Sequence, residues 1–218
     1  MSKQNNLKPI LISLAYISLL AIIMLIIRMF FIRDYVFSFI AWNLFLAWIP
    51  LLLAYYLYFF TIKRGTYLQA IIFILWLIFL PNAPYLLTDF IHLSTWYRVP
   101  LWYDMILFFT FAWIGLSLGA ISLFLVEKFL KKSTPARMTA ILINFIIILS
   151  GFGIYFGRFM RWNSWDIFLH PILVMGDLAN AILTPKIFFD VLGFTITWSL
   201  FIMGSYYFFK KLLANLKI

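Results

Sequence analysis

Small groups of polar side chains interrupt a chain that is otherwise almost wholly apolar. In "TDFIHL", Asp89 and His92 stand three residues apart, so on a helical backbone they share one face about a turn apart. That spacing suits a carboxylate that orients an imidazole, and equally two ligands of one divalent metal. Asp104, in "LWYDMIL", opens the next apolar run and could return to the same place across a short hairpin. Three such oxygen and nitrogen ligands suffice for an open catalytic metal site; acid–base chemistry without a metal is equally open. The plainer alternative leaves Asp89 and His92 solvated at an interface or paired with Arg98.

The second group, "GRFMRWNSWD", sets Arg158 and Arg161 three apart and follows them with Trp162, Asn163, Ser164, Trp165 and Asp166. Two guanidinium forks on one helical face make a bidentate site for a phosphate or carboxylate, and the indoles could stack on a sugar, a flat ring or the edge of a lipid headgroup. The competing explanation is an aromatic belt with arginine anchoring a helix to the membrane interface. Asn163, Ser164 and Asp166 add more hydrogen-bonding capacity than an anchor requires. The expected site therefore holds Asp89, His92 and Asp104 as catalytic candidates, with Asn82, Tyr85, Arg158, Arg161, Asn163 and Asp166 as substrate-binding candidates. His170 and Asp177, flanking "PILVMG", either join this site or cap an interfacial helix.

Lipid-buried helices must position these groups. Of 218 residues 66% are hydrophobic and only 11% charged, too much apolar surface for a water-soluble fold to hide. The net charge of +10 would suggest nucleic acid in a soluble protein, but the lysines and arginines fall mostly in short segments between apolar runs, where topology explains them. No nucleic-acid partner is expected; membrane lipid is. The absence of cysteine excludes disulfides and thiolate metal sites within the chain.

The expected fold is all-α, one polytopic transmembrane bundle of about six spans near 9–27, 35–60, 67–87, 101–126, 137–156 and 187–209. The first is read as a retained signal anchor, since its apolar run outlasts a signal peptide and no cleavage site follows. The apolar run 67–80 climbs only about 21 Å, short of the roughly 30 Å hydrocarbon core. Either it continues, kinked, through Pro81 and Pro84, or it stops within the membrane as a re-entrant or interfacial turn. The run 170–183 raises the same alternatives before the last span. Within the spans, Asn43 and Asn144 are expected to hydrogen-bond to neighbouring helices, Pro50 to kink its helix, and Gly151, Gly153 and Gly157 to permit close packing.

With the N-terminus inside, short cytoplasmic segments hold eleven Lys and Arg against six outside (Arg28, Arg33, Arg98, Arg158, Arg161 and Lys186), so both termini are expected in the cytoplasm. Both polar clusters then face outward.

"WNLFLAWIPLLLA", "FLPNAPYLLTDFIHL", "WYDMIL" and "GRFMRWNSWDI" resemble the signatures of a bacterial integral-membrane family known only as domain of unknown function 1361. The resemblance covers nearly all the chain after the first span. It implies a multi-pass protein of a bacterial cell membrane and no particular reaction. Three functions fit the residues. Ranked first is a membrane-embedded hydrolase or transferase acting on a phosphate- or carboxylate-bearing substrate, either free or lipid-linked, with a divalent metal as an optional cofactor. Next is a small-solute transporter or binding subunit, which needs a polar path to the cytoplasmic side; third is a scaffold or assembly factor.

Overall fold

The computed structural model describes residues 2–60, 67–93 and 99–214. Lys63, Arg64, Arg98 and Lys217 of the charge count, and the side chain of Lys3, lie outside the described residues. The described chain is all helical, in the order α1 (Ser2–Ile32), α2 (Ser38–Phe59), α3 (Tyr67–Phe79), α4 (Asn82–Tyr85), a 3-10 helix (Leu86–His92), α5 (Leu101–Leu130), α6 (Ala136–Phe159), α7 (Asp166–Leu169), α8 (Pro171–Leu183) and α9 (Pro185–Ala214). Six helical stretches are long and apolar enough to cross a membrane: Leu7–Ile32, Ser38–Phe59, Tyr67–His92, Leu101–Leu130, Ala136–Phe159 and Pro185–Ala214. A chain so built is a multi-pass membrane protein. The thirteen-residue α8 is apolar but too short to be counted with them.

Helix α5 is the axis of the bundle: 72% of its most apolar window is buried, against 17% for α1. It touches α1, α2, α4, the 3-10 helix, α6 and α9. Its small residues allow this approach, because helices in lipid associate by close packing rather than by expelling water. A Cβ on Gly115 would lie 2.3 Å from the Ala83 carbonyl oxygen, so only glycine lets α5 and α4 meet there.

The third stretch takes the kinked course. Pro81 and Pro84 lack the N–H groups that would bond back one turn, and α3 stops at Phe79 before α4 and the 3-10 helix carry the chain on to His92. The break strands backbone carbonyls in an apolar setting, where an unpaired one is costly. Side chains take them up: Asn82 Nδ2 donates to the Phe79 carbonyl (2.9 Å) and Ser164 Oγ to that of Ile78 (3.1 Å). Asn82 Nδ2 also donates to Ser164 Oγ at 2.8 Å, tying the break to the segment after α6. Gly153 of α6 seats Pro81, to which a Cβ would come within 2.7 Å, and Gly157 seats the Tyr85 ring.

The intramembrane asparagines bridge helices: Asn43 of α2 donates to Asp89, and Asn144 of α6 accepts from Tyr207 of α9 at 2.9 Å. Pro50 is within α2, where its carbonyl accepts from Ser122, itself bonded by the indole of the wholly buried Trp76.

Candidate functional site

The 3-10 helix that follows the proline break delivers Thr88, Asp89 and His92 to the last turn of α6, where Arg158 waits. Arg158 is heavily committed. Its Nε donates to Thr88 Oγ1 at 2.9 Å, its Nη2 to the same hydroxyl and to Asp89 Oδ1, and its Nη1 to His92 Nε2 at 3.0 Å. The guanidinium also lies over the Tyr85 ring, 4.4 Å from the centroid. Asp89 is wholly buried, and its second oxygen accepts from Asn43 Nδ2 at 3.1 Å. A carboxylate so enclosed is satisfied as a charge, with Arg158 as its counter-ion. Thr88 completes the knot by donating to the Tyr85 carbonyl at 2.7 Å.

His92 is exposed beside this knot, its ring 5.0 Å from that of Phe39. Guanidinium has no acceptor, so the Arg158 contact makes Nε2 the acceptor and places the imidazole proton on Nδ1. His92 therefore offers an N–H.

Asp104 does not join Asp89. It forms a two-pronged pair with Arg28 of α1, Nε to Oδ1 at 2.6 Å and Nη2 to Oδ2 at 3.0 Å, with the guanidinium 3.8 Å from the Phe37 ring centroid. Both side chains are essentially excluded from solvent. Sequence reasoning placed Arg28 in a loop count and missed this pair; an arginine inside the run "IIMLIIRMFF" was the available signal.

The other two aspartates of the polar clusters are also engaged. Asp166 Oδ2 accepts from the Asn163 backbone N–H (2.7 Å) and side chain (3.1 Å), a local turn, and Asp177 accepts from the Trp162 indole at 2.8 Å, which fastens α8 to the end of α6. His170 stands at the N-cap of α8. Among the described residues no three His, Cys, Asp or Glu side chains gather as a metal site, so the donor set does not fit the divalent metal considered from the sequence.

Beside the knot lies an open cavity of about 930 Å³ between α2, α3, α6 and the α7–α8 segment. Asn43, Asn82, Tyr85, His92, Arg158, Arg161, Asn163 and Ser164 contribute its polar lining, and Leu46, Leu77, Leu149 and Phe152 line it further along the helices. Among the described residues no aspartate or glutamate lines it. Arg161 is exposed on its wall and makes no hydrogen bond or ion pair among the described residues. It holds a left-handed backbone (φ 60°) at the end of α6, a conformation glycine adopts at less cost. Six of the nine expected residues thus share one cavity wall; Asp89 lies behind it, Asp104 with Arg28, and Asp166 beneath Asn163.

At the opposite end of the bundle the chain's only glutamate, Glu127, is buried and held by Tyr206, by Lys131 at 2.6 Å and by Lys210 at 2.8 Å. Little in the sequence points to it, since Glu127 follows "FLV" and precedes a basic loop.

The chain belongs to the family described as "Protein of unknown function (DUF1361)", whose model matches residues 42–203, a range that contains every candidate site residue. No curated protein and no solved structure matches the chain.

Proposed function

We propose that this family member is a membrane-embedded enzyme, a hydrolase or transferase, whose cavity binds a phosphate- or carboxylate-bearing substrate at the outer face of a bacterial cell membrane. The observation that carries this reading is the charge of the cavity wall: Arg161 free, Arg158 on the same wall, and no acidic side chain in the lining among the described residues. A donor-rich wall in a low-dielectric setting favours an anion. Arg161 is the binding group. Arg158, neutralised by Asp89, is a positioning residue that holds His92, and His92 Nδ1–H donates a hydrogen bond that stabilises charge developing on the reacting oxygen.

The outward orientation is supported by the bias of eleven basic residues against six. A transporter would need a polar path to the Glu127 end. That path has little support, since the cavity runs out among Leu46, Leu77, Leu149 and Phe152.

The test uses full-length protein in phosphatidylcholine nanodiscs, titrated with phenyl phosphate and assayed for turnover of aryl phosphate and carboxylate esters. Arg161→Gly should abolish binding and Arg161→Lys retain part of it; His92→Gln should bind as wild type and fail to turn over. Wild-type binding and turnover in all three variants would reject the site, and a wild type that neither binds nor turns over would favour a scaffold.

A further inference from the structure

We infer that the substrate is an amphiphile, an anionic headgroup on a long hydrocarbon chain, whose headgroup is held at Arg161 while its chain lies in the apolar length of the cavity between α3 and α6. The inference rests on the proposed anion site and adds the chain. Leu149 and Arg158 both line the cavity and lie nine residues apart on α6, so the lining runs roughly 14 Å along the helix, about half the hydrocarbon thickness of a bilayer. The lining changes character along that length. Its polar members come from the break at Pro81 and from the end of α6, and its deeper members are Leu46 of α2, Leu77 of α3 and Leu149 and Phe152 of α6. A small soluble anion has no use for the deeper part, whereas a hydrocarbon chain gains from every methylene it buries there.

Access to that length is lateral. Helices α3 and α6 touch at few residues, and the cavity between them is open. Helix α8 turns Val174 and Leu178 to the cavity and leaves Ile172 (85% exposed) and Met175 (62%) exposed. The Trp162–Asp177 bond holds α8 at the end of α6 beside Arg161. A molecule already anchored in the membrane can therefore slide its chain between α3 and α6 and meet the arginine at the polar end, with no need to leave the lipid.

The experiment uses nanodisc-embedded protein and hexadecyl phosphate with a diazirine at the chain end, followed by mapping of labelled peptides. Label is expected on the segments bearing Leu46, Leu77 and Leu149, chased by unlabelled hexadecyl phosphate and not by hexadecanol. Arg161→Gly should reduce it about tenfold or more, the weight of one charge-assisted contact, with thermal stability unchanged or raised. Leu149→Trp, which fills the apolar part, should weaken hexadecyl phosphate and leave phenyl phosphate binding intact. Label spread evenly over the lipid-facing sides of α1 and α9, or an equal chase by hexadecanol, overturns the inference. If inorganic phosphate chases as well as hexadecyl phosphate, the chain contributes nothing and the inference fails while the anion site stands. If no phosphate of any kind binds in an Arg161-dependent way, both fail.

Discussion

Arg158 spends its guanidinium on the buried carboxylate of Asp89, and this leaves Arg161, three residues further on, as the arginine available to a ligand. The two arginines thus have separate duties: the first assembles the break in the third span onto α6, the second faces the cavity.

If the Asp89–Arg158 pair is structural, removing one partner must strand the other. Asp89→Ala leaves Arg158 without its counter-ion and is expected to cost about 3–5 kcal/mol, read as a fall in the thermal midpoint in detergent. Asp89→Leu combined with Arg158→Met removes both charges and should recover most of that loss. A single Asp89→Ala variant as stable as wild type would contradict the assignment.

The Arg28–Asp104 pair is a second, independent clasp between α1 and α5. Asp104→Ala should be as damaging as Asp89→Ala, and the two losses should add to within about 0.5 kcal/mol, as expected of sites without shared partners. Coupling of a kilocalorie or more would mean that the aspartates belong to one site.

Gly115→Ala brings a methyl group to 2.3 Å from the Ala83 carbonyl and 3.0 Å from Leu86. The backbone must move, so a sharp loss of stability is expected, with His92 displaced. Gly193→Ala, which meets nothing within 4 Å, is the control and should be neutral or mildly stabilising. Equal behaviour of the two would show that α5 does not clamp the break.

Asn82 is given a structural duty by its bonds to Phe79 and Ser164. Asn82→Ala should cost about 1–3 kcal/mol in thermal stability through the unsatisfied carbonyl it leaves. If it instead leaves stability unchanged and weakens phenyl phosphate binding, Asn82 is a ligand contact.

Much of the fold was legible because lipid imposes a length rule on every span, and the shortfall of the run 67–80 located the break. Both clusters fall on one side in the topology read from the sequence, which puts Asp89, His92 and Arg158 at the same end without pairing them. What the sequence could not assign was pairing at long range. Asp104 and Arg28 are 76 positions apart, and nothing local says that Asp104 answers Arg28 while Asp89 answers Arg158. Likewise the spacing of Arg158 and Arg161 reads as one fork only if the helix runs on. It ends at Phe159, and the left-handed backbone at Arg161 turns the second arginine away from the first.

The most direct measurement is an experimental density map of the protein in nanodiscs with hexadecyl phosphate. A phosphate feature within ion-pair distance of Arg161, with Arg158 still on Asp89, is the predicted result. A phosphate held instead by Arg158 with Asp89 released, or an empty cavity with density at the Lys210 end, would contradict the account.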